Sequence, residues 1–196
     1  MAHTRIFFPS GIMACGTVVN HKQISNLFNQ VFADEHVQLV GGAEEPLYQP
    51  AGVVDICRSK DRAPALIHYR EDFAASALHE VAHWCIAGPE RRQQIDFGYR
   101  YIPPPRSIRQ QEAFYRSELR TQALESLFAD AAGLVFQVSA DDLEADISEF
   151  SCAVESSRQM MRDWMDNSTD DRARRFYGAL ENLSQDLTAQ QRNRHG

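Results

Sequence analysis

The chain has 196 residues, 43% of them hydrophobic and 24% charged, enough apolar material for one core-forming domain without disulfide staples. It contains no long uncharged apolar run, so no membrane span is expected, and the formal net charge of -7 argues against broad, charge-driven binding of nucleic acid. Cys15, Cys57, Cys85 and Cys152 are scattered, unlike the close pairs of a zinc knuckle or a redox dithiol, and fit reduced thiols in a cytoplasmic protein.

Residues 1–20 read as an N-terminal tail, because Pro9, Ser10 and Gly11 interrupt the apolar residues that a signal peptide would need uninterrupted. From His21 to Ala33 the residues Ile24, Leu27, Phe28, Val31 and Phe32 recur at helical spacing. Gly41, Gly42, Pro46 and Pro50 then punctuate short extended pieces at Val37 to Val40 and Leu47 to Gln49, and Ala65 to Tyr69 reads as a strand. With Asp72 as N-cap and Gly88 and Pro89 as the stop, Phe73 to Ala87 is expected to be a helix. Gly98 and Pro103 to Pro105 mark an irregular connection, and a second core helix is expected from Glu118 to Ala132. Helical patterns follow at Ser148 to Asp166 and Arg172 to Leu183. These readings give a single α+β domain over residues 21–185, with a small sheet, a helical C-terminal half and a C-terminal tail at 186–196.

Charge is unevenly spread. Arg91, Arg92, Arg100, Arg106, Arg109, Arg116 and Arg120 outnumber the acidic residues of the middle third, whereas Asp141, Asp142, Glu144, Asp146 and Glu149 make a later stretch acidic. An acidic partner can dock on such a middle third, although a solvated surface of mixed charge is the commoner cause of the pattern.

The chemistry concentrates in HEVAH. His79 and His83 are four residues apart, which on a helix sets both imidazoles on one face within reach of one ion. The surrounding helix is apolar nearly all round, as a buried helix reads, and a shared cation would give both buried imidazoles a partner. The bland alternative is a pair of core histidines bonded to backbone carbonyls, with Glu80 paired to an arginine. In a hydrolytic site Glu80 would be the general base. A third ligand is expected from the next core helix, where Glu118, Gln122 and Glu125 share a face. Periodicity does not separate Glu118 from Glu125, and His68 and Asp96 are outsiders. Cys85 points to nearly the opposite side of its helix from His83. Two histidines and a carboxylate suit zinc in hydrolysis or ferrous iron in oxygen chemistry.

HEVAHWCIAGPERRQQIDFGYRY, from His79 to Tyr101, with QALESLFADAAGLVFQVSADDLEAD, from Gln122 to Asp146, closely resembles the elongation factor P hydroxylase family, from about Ile24 to about Leu183. The resemblance implies a non-heme, metal-dependent protein lysine hydroxylase (a monooxygenase) acting on the β-lysylated lysine of bacterial elongation factor P in the cytoplasm, with no membrane or direct nucleic-acid partner. It implies a zincin-like helical core rather than a jelly roll, with one divalent metal, Fe(II) in the working enzyme and Zn as a possible occupant after purification. His79 and His83 match the two imidazole ligands. SELRTQAL, Ser117 to Leu124, matches the carboxylate segment and favours Glu118, while Glu80 matches the acidic residue within the helix. Arg91, Arg92 and Tyr99, just beyond that helix, are expected to grip the substrate protein. The organic co-substrate, if any, is not indicated. HEVAH with a downstream Glu is also the pattern of a zinc metallopeptidase, and a non-catalytic module with a structural metal is the third alternative.

Overall fold

The computed structural model describes residues 19–52, 63–99, 102, 106–139 and 148–195. The expectations placed on Cys15, Cys57, Arg100, Pro103 to Pro105 and the acidic run Asp141 to Asp146 lie outside the described residues.

Helix α1 (His21–Val31) opens with a capping box in which the Asn20 side chain accepts from the Gln23 amide and the Gln23 side chain accepts from the Asn20 amide, satisfying two otherwise orphaned donors. Val19 is already buried, so the ordered core starts slightly before the tail boundary read at residue 20. Three strands follow, β1 (Val37–Ala43), β2 (Leu47–Gln49) and β3 (Ala65–Arg70). Their spatial order is β1-β3-β2, with β1 parallel and β2 antiparallel to β3. Alternation along β3 buries Ala65, Ile67 and Tyr69 against the helices, as the period of two requires. The edge of β1 is covered by α1: Asn29 accepts from the Leu39 amide at 2.7 Å and Ser25 donates to the Leu39 carbonyl at 2.7 Å, which blunts an exposed strand edge.

Helix α2 (Ala74–Ile86) is followed by 3-10 turns at Arg91–Gln93 and Ile95–Gly98. Phe73, not Asp72, takes its N-cap position, without a side-chain cap bond; Asp72 instead lies 3.4 Å from His21 Nδ1. The stop at Gly88 and Pro89 holds, since the Ala87 backbone is extended. The Ala87 carbonyl, one of the acceptors a helix end leaves open, receives Arg172 Nη2 at 3.2 Å and also Arg92 Nη1.

Helix α3 runs from Ile108 to Ala131, ten residues earlier than the apolar pattern indicates. A Ser107–Gln110 capping box starts it, and its first turns are polar. Helices α4 (Ser148–Asn167) and α5 (Arg172–His195) complete the α+β domain. The stretch 186–196, expected as a tail, continues α5 as far as His195. Among the described residues no helix is long and apolar enough to cross a membrane.

The core is built around an aromatic cluster. Trp84 of α2 lies 5.2 Å from Phe28 and 4.8 Å from Phe32 between ring centroids, and Phe176 of α5 lies 5.2 Å from Phe128 and 5.8 Å from Phe28. Edge-to-face contacts of this kind add to the burial of large rings. They clamp α2 between α1 and α5, so that the histidine face of α2 turns the other way, toward α3. Phe32 is fully buried, so Phe32→Ala is expected to cost about 3–5 kcal/mol in urea unfolding; a loss below about 1 kcal/mol would mean that the cluster is not what holds α2 in place.

Candidate metal centre

Helix α2 is buried nearly all round, including the carboxylate of Glu80, and its C-terminal half presents His79 and His83 to α3. On α3 the facing stripe is Glu118, Thr121, Gln122 and Glu125, all buried, at the i, i+3, i+4, i+7 spacing of one helix face. His79 Nε2 and His83 Nε2 stand 3.1 Å apart. The two oxygens of Glu118 lie 3.4 Å from His79 Nε2 and 3.6 Å from His83 Nε2. Ligands about 2.1 Å from one tetrahedral ion are separated by about 3.4 Å, so this group can hold a metal ion.

The far sides of the rings fix which nitrogen is free. His79 Nδ1 is 2.8 Å from the Glu125 carboxylate, an acceptor, so Nδ1 carries the proton and Nε2 turns its lone pair inward. His83 Nδ1 is 3.3 Å from Thr121 Oγ1, which can donate to the Ser117 carbonyl at 3.4 Å and so accept from Nδ1. Two imidazole lone pairs face each other across 3.1 Å, an arrangement that repels unless a cation sits between them. Either a proton or a metal ion satisfies it, and the donor set fits a divalent metal.

Glu118 and Glu125 are two turns apart, a rise of about 10 Å, so both cannot reach one ion bound to the inner nitrogens. Glu125 takes the outer position, where a carboxylate fixes the tautomer and raises the basicity of a ligating imidazole. Asp96 is occupied elsewhere, accepting from the Tyr48 amide at 2.9 Å, and His68 is outside the group. Cys85 is buried in the core, where burial pushes its thiol well above the usual range.

Electrostatics follow from the same geometry. Burial alone would lower His79, but the Glu125 charge and hydrogen bond, with Glu118 and Glu80 behind them, push it up to about 10. His83 is held well below its ordinary value by burial, by charged His79 and by Arg91. Burial raises Glu80 to about 7, partly opposed by His79 and reinforced by Glu118, Asp96 and Glu125.

The group lies in a cleft of about 510 Å³, within the range of small-ligand sites. Tyr48, Ile86, Phe97, Tyr99 and Phe114 provide apolar wall, Glu80 contributes a buried carboxylate, and Glu44, Glu45, Arg70, Arg91, Arg116 and Arg120 add charge. Of the residues expected to grip a substrate, Arg91 and Tyr99 line this cleft. Arg92 does not: it turns back to the Ala87 carbonyl, with Asp170 at 3.7 Å.

One wall is strained. Asp96, Phe97 and Gly98 have φ of 48°, 55° and 71°, and each non-glycine residue in this region costs about 1–2 kcal/mol. A Cβ at Gly98 would run into the Gln94 side chain. The turn is held by Tyr48 N–H to Asp96 Oδ1, by Arg91 Nε to the Phe97 carbonyl at 2.9 Å, and by Tyr99 N–H to the Asp96 carbonyl at 2.8 Å.

Thr121 and the outer role of Glu125 escape a reading of the sequence, although the spacing of Glu125 from Glu118 placed it on the same face. Their partners are ring nitrogens on another helix, which periodicity does not reveal.

A helix carrying HExxH against a second helix carrying a carboxylate, in a small α+β domain, defines a class of protein with a group able to hold a metal ion beside an open cleft. The family described as elongation factor P hydroxylase matches residues 27–193. The elongation factor P lysine hydroxylase of Haemophilus influenzae is 43% identical over 129 residues, 64% of this chain and 68% of that protein. The chain belongs to the elongation factor P hydroxylase family.

Metal and proton compete for His79 Nε2, while His83 is already neutral. With His79 raised to about 10, zinc uptake at pH 8 should release about one proton per ion, and apparent affinity should fall about tenfold per unit as pH drops from 9 to 8. In Glu125→Ala, burial is opposed only by Glu118 and Glu80, and the proton release should fall. Calorimetry in buffers of differing ionisation enthalpy measures this; equal release by both proteins contradicts the assignment of Glu125.

Proposed function

We propose that this protein hydroxylates the β-lysylated lysine side chain of elongation factor P, in the cytoplasm, using one ferrous ion held by His79, His83 and Glu118. The observation that carries the reading is the convergence of these three groups on one point of the cleft in a chain of the elongation factor P hydroxylase family. HExxH on α2 and a carboxylate on α3 also support a zincin-like reading of the helix pair. The comparisons lend no support to a metallopeptidase, since the family and the relative are both described as hydroxylases.

Held by His79, His83 and Glu118, ferrous iron would supply redox chemistry with dioxygen, one oxygen atom going into a substrate C–H bond and the other leaving as water at the expense of an external two-electron reductant. The chain's own residues do the rest. The apolar wall of Ile86, Phe97, Tyr99 and Phe114 suits the methylene stem of a lysine side chain and excludes water around it. Arg91 and Tyr99 hold the substrate protein at the cleft; Arg92 acts on the fold, by holding the end of α2. Glu125 and Thr121 orient the two imidazoles through their Nδ1 hydrogens. Glu80, buried beside the ligands and raised to about 7, holds and moves a proton near neutrality. Residues 21–185 form the hydroxylase domain on this reading, with α5 extending it to His195.

Iron-loaded protein incubated with β-lysylated elongation factor P and a reductant should add one oxygen atom to the modified lysine, read by mass spectrometry. His79→Ala should add none, and Glu80→Gln should keep its iron yet turn over about 10²- to 10⁴-fold more slowly. Zinc-loaded protein should be inactive; equal activity with zinc, or no oxygen gain with iron, contradicts the proposal.

A further inference from the structure

The two imidazoles are not held equally. His79 is fixed through Nδ1 by a charge-assisted bond of 2.8 Å to Glu125, and its side chain is 14% exposed. His83 has only a neutral hydroxyl at 3.3 Å, and its side chain is 27% exposed. A bond of that length and type restrains a ring weakly, so His83 depends on what packs against it. The Phe97 ring does so, inclined 24° to the imidazole with centroids 6.3 Å apart. Phe97 is itself pressed on its neighbour Tyr48, at 4.1 Å and 13°. The Tyr48 hydroxyl donates to the Arg92 carbonyl at 2.8 Å, and the Tyr48 amide is the group that Asp96 ties down. The left-handed turn at Asp96, Phe97 and Gly98 is thus held on both sides of the ring it presents. Strained backbone that persists only because its surroundings over-determine it is a signature of a positioning element.

We infer that Phe97 is a positioning residue for the metal centre: the strained Asp96 to Gly98 turn, anchored on Tyr48, holds the Phe97 ring against His83 and keeps its Nε2 aimed at the ion. The inference rests on the reading that His79, His83 and Glu118 bind one divalent metal. It extends that reading by assigning a task to the DFGY segment that follows the metal helix. Asp96 serves the same task through its side-chain acceptor for the Tyr48 amide, independent of its charge.

Cobalt(II) alone is the probe, with its visible absorption reporting ligand geometry and a competing chelator giving the affinity of the full chain. Phe97→Leu keeps an apolar side chain but removes the ring, and should weaken cobalt binding about tenfold, the lower end of the effect of supporting groups on metal sites, with an altered visible spectrum. Asp96→Ala, which leaves the buried ring in place and cuts the tie to Tyr48, should move both readouts in the same direction, while Asp96→Asn, which keeps the acceptor, should match wild type. Wild-type affinity and spectrum in both Phe97→Leu and Asp96→Ala would overturn the inference while leaving the metal site standing. Equal loss in Asp96→Ala and Asp96→Asn would also overturn it, because charge would then be the cause. A wild-type protein that takes up no cobalt would overturn the inference and the metal reading together.

Discussion

The structure is organised around two imidazole lone pairs that face each other across 3.1 Å inside a buried helix pair. With both nitrogens unprotonated that contact is repulsive, so it calls for a proton on His79, raised to about 10, or for a metal ion in the proton's place. The aromatic cluster under Trp84 fixes the roll of α2, Glu125 and Thr121 claim the outer nitrogens, and Glu118 brings negative charge to the inner side. A proton or a metal ion resolves the conflict, and a metal ion can also draw on the Glu118 carboxylate, 3.4 Å from His79 Nε2 and 3.6 Å from His83 Nε2. The cleft beside the histidines therefore has both a binding point for an ion and wall space for a side chain.

Charge balance explains why the surrounding residues are what they are. Glu80, Glu118 and Glu125 are all buried near one another, an arrangement that is costly without compensating positive charge. One proton on His79 offsets part of it in the metal-free protein, and a divalent ion offsets more. Binding of metal and loss of that proton are thus coupled, and folding of the α2 and α3 pair is coupled to both. Burial, reinforced by the neighbouring carboxylates, raises Glu80 to about 7, which suits the proton-moving role proposed for it.

Much of this was legible in the residues. The spacing of His79 and His83, the apolar surroundings of their helix and the stop at Gly88 and Pro89 are local signals, and the helices and strands they imply are present with shifted ends. Glu118 was harder: on periodicity its face resembled a solvated one, because a pattern of polar residues does not distinguish water from a second polar helix as its neighbour. The early start of α3 was missed for a related reason, its first turns being polar and marked only by the Ser107–Gln110 capping box. The turn of Arg92 away from the cleft was not legible, because its partners, the Ala87 carbonyl and Asp170, are set by the turn after α2 and by the distant start of α5. Asp72 is not the N-cap: Phe73 takes that position, and the Asp72 carboxylate lies beside His21, far away in sequence. Family resemblance supplied what spacing could not, the preference for Glu118 over Glu125 and the kind of reaction.

The most direct test of the account is X-ray absorption of the iron-loaded protein, comparing wild type with Glu118→Ala and Glu125→Ala. The account predicts two imidazole nitrogens and one carboxylate oxygen from the protein in the iron shell of wild type. It also predicts loss of the carboxylate in Glu118→Ala and an unchanged set of ligand types in Glu125→Ala. Loss of the carboxylate in Glu125→Ala, with the wild-type shell retained in Glu118→Ala, would contradict it.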